Sequence, residues 1–65
     1  MQLIDFPETS RRTQLSRPTI YRRIKSGEFP KPRQIGPRRV GFVLQEIEDW
    51  LANRPVVVLK LGLGL

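Results

Sequence analysis

The spacing of apolar positions changes twice along the chain, and those changes divide it into elements. Leu3, Ile4 and Phe6 precede a short helix that starts at Pro7 and continues through Glu8, Thr9, Ser10, Arg11 and Arg12. Proline suits a first turn, whose N–H groups have no intrahelical acceptor. Thr13, Gln14 and Leu15 form a tight connection to Ser16, whose hydroxyl can accept from a free N–H of the next helix. That second helix runs from about Arg17 to Lys25. Ile20 and Ile24, four residues apart, point one way. Pro18, Arg22 and Lys25 point roughly opposite, with Thr19 and Tyr21 on the flanks. Gly27 ends the helix in the left-handed conformation that glycine adopts without strain, and Pro30 and Pro32 prevent its resumption. Phe29, between Gly27 and Pro30, is the expected core anchor.

The pattern then becomes that of extended chain. Arg33-Gln34-Ile35 and Arg39-Val40-Gly41-Phe42 read as a small hairpin, joined by a turn containing Gly36 and Pro37, with arginines at its tip. A third helix begins near Gln45 or Glu46 and runs to about Asn53. Glu46, Glu48 and Asp49 suit its positive N-terminal end and Arg54 its negative end. Leu44, Ile47 and Leu51 fall on one stripe, flanked by Trp50, which is expected to be buried where the stripe closes over Ile20 and Ile24. After Pro55 the run VVVLKLGLGL is apolar except for Lys60 and reads as a strand, a contact for self-association or an unstructured end. The expected division is a domain over residues 1–54 and an apolar tail of unknown role over residues 55–65.

Sixty-five residues provide one small domain. The absence of cysteine and histidine removes disulfides, thiolate zinc ligation and the commonest metal ligand and general base. No cofactor and no metal are expected. Tyr21 as a DNA-cleaving nucleophile would lack both a histidine base and paired carboxylates for a metal, so a binding protein is expected rather than an enzyme. No apolar run is long enough to span a bilayer and the first residues are not those of a secretion signal, so a cytoplasmic, nucleoid-associated location with no membrane partner is expected.

Charge changes the picture most. Twelve Lys+Arg stand against six Asp+Glu, a net charge of +6. Ten of the basic residues lie between Arg11 and Arg39, a stretch in which Glu28 is the only acid. A field so concentrated attracts a polyanion, and phosphate contacts by these side chains would release condensed counterions. A solvated, solubilising charge run is the plain alternative. Arginine dominance favours nucleic acid, because the guanidinium fork matches phosphates and guanine edges.

The informative stretch is LSRPTIYRRIKSGEFPKP, residues 15–32, an N-capped helix presenting basic and aromatic side chains after a short turn. Ser16 and the helix N-terminus can meet a phosphate, while Arg17, Pro18, Tyr21, Arg22 and Lys25 lie on or near the outward face. Arg22 is the leading candidate for a base contact. Tyr21 reads equally well as a DNA contact or as a ring packed beside Ile24 or Phe29 with its hydroxyl wet. Arg23 reads as a stem on the core with its head in solvent, and Arg11 and Arg12 as solvated or phosphate-facing. Arg38 and Arg39 extend the candidate surface to the hairpin tip.

The ordered combination of Ser16-Arg17, Thr19-Ile20-Tyr21-Arg22, Gly27, Phe29-Pro30-Lys31-Pro32, Ile35-Gly36, Arg39, Phe42 and Glu46-Ile47-x-x-Trp50-Leu51 resembles the AlpA family over roughly residues 3–54. The resemblance implies a mainly α fold with a small β-hairpin, a winged helix-turn-helix related to the MerR-type and excisionase DNA-binding domains. It also implies a phage or genomic-island regulator that binds double-stranded DNA, with RNA polymerase or an integrase as further partners. Ser16, Arg17, Thr19, Tyr21 and Arg22 match the family's recognition-helix segment, and Arg39 matches its wing. Gln14 departs from a usual turn glycine, Thr9 and Ser10 from small or branched apolar residues, and Gln45 from a better N-cap. A non-glycine residue in a left-handed turn costs on the order of 1 kcal/mol, so these departures bear on stability. Two further readings stand beside the transcriptional regulator. One is an excisionase that bends attachment-site DNA, which a bending assay on attachment-site and promoter fragments separates. The other is a protein-interaction or membrane-surface module that uses the apolar tail.

Overall fold

The computed structural model describes residues 1–58; most of the apolar tail, residues 59–65, lies outside the described residues. The chain order is β1 (Leu3–Ile4), α1 (Phe6–Thr13), α2 (Arg17–Ser26), β2 (Arg33–Gly36), β3 (Arg39–Val43) and α3 (Leu44–Ala52). Three helices and a small antiparallel sheet form a winged helix-turn-helix, in which β2 and β3 are the wing.

α1 begins one residue before Pro7 because Asp5 caps it, its carboxylate accepting from the Glu8 N–H at 2.9 Å. The helix buries Thr9 and Thr13. Each threonine hydroxyl donates to the carbonyl four residues earlier, Asp5 and Thr9 respectively, both at 2.8 Å, so neither enters the core unpaired. Gln14 adopts the left-handed conformation at φ 59°, as the turn requires, and its amide donates to the Arg11 carbonyl.

α2 is capped by Ser16 and ended by Gly27 at φ 82°. The Gly27 N–H donates to the Ile24 carbonyl and the Glu28 N–H to the Arg23 carbonyl, the paired bonds of a Schellman motif. This ending aims Phe29 inward. Trp50 Nε1 then donates to the Glu28 carbonyl at 2.8 Å and ties the segment to α3.

The sheet differs from the expected hairpin in having a third strand. Its order is β1-β3-β2, with Leu3 opposite Val43, Ile4 opposite Phe42 and Arg33 opposite Gly41. β1 is too short to show a period; its pairing with β3 makes it a strand. The wing turns at Pro37 and Arg38, and a register shift between Gln34 and Gly36 makes room for Ile35.

Ile4, Phe6, Ile20, Phe29, Phe42 and Ile47 form the core, with Leu15, Ile24, Leu44 and Trp50 packed against it. Phe42 is the hub: Phe6 and Phe29 meet it edge-on at 5.2 and 5.8 Å between ring centroids.

Three expectations for α3 need correction. It starts at Leu44, with Val43 in the cap position and no side-chain cap. The Leu44 N–H instead donates to the Gln2 carbonyl at 2.8 Å, so the chain N-terminus supplies the missing acceptor, and Gln45 donates to Asp49. Leu51 stays outside the core, 37% exposed, because Phe29 draws the apolar stripe toward Trp50. Trp50 itself is half-buried, its ring 4.7 Å from Phe29 on one contact and 4.3 Å from the Arg54 guanidinium on another.

Candidate nucleic-acid interface

Residues Gln14 to Ser16 are the whole connection between α1 and α2. The Ser10 hydroxyl donates across it to the Leu15 carbonyl and holds the turn. α2 sends Ile20 fully into the core and Ile24 partly, which turns the rest of its circumference outward. Ser16, Arg17, Pro18, Tyr21, Arg22 and Lys25 are exposed and Thr19 is half-buried.

Within that face the structure brings two groups together. In the first, Ser16 Oγ accepts from the Thr19 N–H at 3.4 Å and lies 2.9 Å from Thr19 Oγ1, and Arg22 Nη2 donates to Thr19 Oγ1 at 3.1 Å. In the second, Arg17 and Tyr21, one turn apart, converge on Phe6. The Arg17 guanidinium lies 4.8 Å from the Phe6 ring centroid, and the Tyr21 ring centroid lies 5.0 Å from it. Tyr21 therefore packs on Phe6, a partner other than the Ile24 or Phe29 expected, because α1 flanks that side of α2. More than half of its surface still faces water, 55%. The Arg23 guanidinium lies 5.8 Å from the Trp50 ring, so the head of this half-buried side chain, and not only its stem, lies near an aromatic of the core edge.

On the wing, Arg38 sits in the turn and Arg39 opens β3, and both are exposed. A Cβ built on Gly36 would stand 3.6 Å from the Arg39 Cβ, so the stem of Arg39 passes over Gly36. The wing shares no hydrogen bond with the α2 group among the described residues.

Ion pairing sorts the basic residues. Arg11 and Arg12 both close on Glu8, at 2.6 and 2.7 Å, and Arg33 closes on Glu46 at 2.9 Å. The Arg11 hydrogen bond, reinforced by Arg12, holds the Glu8 carboxyl below the usual glutamate range, and Glu8 raises Arg11 in return. Among the described residues no carboxylate pairs with Arg17, Arg22, Lys25, Arg38 or Arg39. The spacing of Glu8 to Arg11 and Arg12, three and four residues on a helix, was the available signal for that neutralisation. Phe6 as the seat for Arg17 and Tyr21 had no signal in the sequence, since it depends on how α1 crosses α2.

An open groove of about 850 Å³ runs between Pro30–Gln34 and α3, lined by residues including Glu46, Asp49 and Trp50. Its charge is mixed, and it reaches the base of the wing at Arg33 and Gln34 but includes neither Arg38, Arg39 nor any α2 residue. Among the described residues no helix is long and apolar enough to cross a membrane. Val56, Val57 and Val58, at the start of the tail, are exposed.

Residues 2–55 match the family described as Prophage CP4-57 regulatory protein (AlpA). The chain belongs to the AlpA family. Two relatives place it further. It is 30% identical over 60 residues to the DNA-binding transcriptional activator AlpA of Escherichia coli (strain K12), an alignment covering 83% of this chain and 86% of that protein. It is 40% identical over 48 residues to the uncharacterized protein ORF88 of Enterobacteria phage P4, covering 74% of this chain. The chain spans 54% of the length of that phage protein and most of the length of the bacterial one.

Proposed function

We propose that this chain is a sequence-specific double-stranded DNA-binding protein that acts as a phage or genomic-island transcriptional regulator. Residues 1–54 are the binding unit and residues 55–65 lie outside it. α2 enters the major groove, Ser16 and the helix N-terminus meet a phosphate, and Arg17, Tyr21, Arg22 and Lys25 line the groove surface, with Pro18 and Thr19 at the helix start. Arg38 and Arg39 meet phosphates or an adjacent narrow minor groove. The observation that carries this reading is the set of exposed cations on α2 and the wing that have no carboxylate partner among the described residues, whereas Arg11 and Arg12 share Glu8 and Arg33 pairs with Glu46. The bacterial relative, described as a DNA-binding transcriptional activator, supports the same reading.

Arg22 is the proposed base reader, since its i, i+3 tie to Thr19 directs it away from the core side of α2. The test is paired titration of wild type and Arg22→Ala on a footprint-selected site and on random duplex, at one salt concentration. Arg22→Ala should cost about 1–3 kcal/mol on the selected site and much less on random DNA. Equal losses on both duplexes would reassign Arg22 to the phosphate backbone.

A further inference from the structure

Thr19 stands in the middle of a chain of three side chains. Its Oγ1 accepts from Arg22 Nη2 at 3.1 Å and lies 2.9 Å from Ser16 Oγ. A threonine hydroxyl has one proton and two lone pairs. Arg22 occupies one lone pair, so either Thr19 donates its proton to Ser16 or Ser16 donates to Thr19. Ser16 caps α2, so its hydroxyl sits at the helix N-terminus, where the backbone favours an anion. A phosphate oxygen there has no proton and can only accept. The Ser16 proton then goes to the phosphate, and Thr19 donates to Ser16 while still accepting from Arg22. All donors run one way, from Arg22 through Thr19 and Ser16 to the phosphate, and every hydroxyl both donates and accepts.

The same bond restrains the arginine. A free arginine side chain on a helix surface samples many rotamers, and fixing it at an interface costs binding free energy. Thr19 takes a single Nη2 hydrogen from Arg22 and leaves four guanidinium hydrogens, enough for a two-bond contact with one base edge.

We propose that Thr19 is a positioning residue that holds the Arg22 guanidinium ready for a base edge and links it, through Ser16, to a backbone phosphate. This rests on the reading of α2 as the helix that enters the groove, and the experiment is arranged so that the two fail differently. Affinities for the selected site and for random duplex are measured at one salt concentration for Thr19→Val, Thr19→Ala, Thr19→Ser, Arg22→Ala and the double variant Thr19→Val/Arg22→Ala. A melting curve accompanies each. Thr19→Val keeps the shape and deletes the hydroxyl; Thr19→Ala makes the same deletion with a better helix former should the valine lower the melting temperature.

Loss of the hydroxyl should reduce the ratio of site to random affinity about three- to tenfold, the range expected for freeing one rotamer-rich side chain. Thr19→Ser should stay close to wild type. In the Arg22→Ala background Thr19→Val should change the ratio no further, because the hydroxyl then has nothing to hold. A wild-type ratio in Thr19→Val and Thr19→Ala, with the ratio collapsed in Arg22→Ala, overturns the positioning role and leaves Arg22 as the reader. A loss in Thr19→Ser equal to that in Thr19→Val shows that a hydroxyl at this position does not by itself preserve the ratio, and also overturns it. A wild-type ratio in Arg22→Ala removes the reading beneath it, and the proposal with it.

Discussion

α1 and α2 present similar basic side chains to solvent and differ in what surrounds them. On α1, Arg11 and Arg12 both close on Glu8, and the pairing is tight enough to hold the Glu8 carboxyl below its ordinary range. On α2, Arg17 rests on an aromatic ring and Arg22 on a neutral hydroxyl, contacts that orient a guanidinium without cancelling its charge. The wing repeats the contrast, with Arg33 paired to Glu46 at its base and Arg38 at its tip without a carboxylate partner among the described residues. A charge total overstates an interface; what counts is the charge left uncompensated and held in place.

The largest effect comes from removing the scaffold that both helices share. Phe42→Ala deletes the ring on which Phe6 and Phe29 pack and should cost about 3–5 kcal/mol, enough to unfold so small a core. Trp50→Ala should cost clearly less, because Trp50 is half-buried. Chemical denaturation of both variants checks the order. If Trp50→Ala is the more destabilising of the two, α3 rather than the sheet anchors the fold.

A smaller effect separates paired from unpaired arginines directly. Replacing Arg38 and Arg39 with Ala should weaken binding to all duplexes and flatten the slope of log K against log salt, by about 0.9 for each phosphate no longer neutralised. Replacing Arg11 and Arg12 should flatten it much less, since Glu8 already neutralises part of their charge. Equal slopes for the two double variants would erase the distinction drawn between the regions.

The smallest effect is expected at Glu8 itself. Glu8→Gln releases Arg11 and Arg12 and should raise affinity for random duplex slightly, with a steeper salt dependence. The pH behaviour has a definite sign. Because the folded Glu8 carboxyl is held below its unfolded value, its contribution to stability is complete above the ordinary glutamate range and disappears as pH falls through the depressed folded value. The contribution is small and screened, as Glu8 lies on the surface. Melting temperatures of wild type and Glu8→Gln should converge at low pH, and a gap that widens on acidification would reverse the assignment.

Much of this architecture was legible in the residues. Ser16, Pro18 and Gly27 mark the bounds of α2 because caps and stops act locally, through one hydroxyl, one missing N–H and one positive φ. The strain at Gln14 was legible only through the family resemblance, which has a glycine in that turn, whereas the burial of Phe29 followed from its place between breakers. β1 was not, because two residues carry no period and depend on β3 for every ladder bond. The start of α3 was missed because its N–H acceptor is the carbonyl of Gln2, more than forty positions away. Within the site, the α2 side chains could be assigned to a face from helical spacing alone, but the seat of Tyr21 on Phe6 could not.

Residue order alone therefore set the limits of α2, the hairpin tip, the apolar and basic faces of α2 and the concentration of charge between Arg11 and Arg39. All of these follow from interactions within about four residues or from composition. The third strand, the exposure of Leu51, the half-burial of Trp50 and the seating of Arg17 and Tyr21 on Phe6 were settled by tertiary packing. Each of those depends on where one element crosses another, and the crossings are set by the packing of Phe6, Phe29, Phe42 and Ile47, residues brought together from opposite ends of the domain.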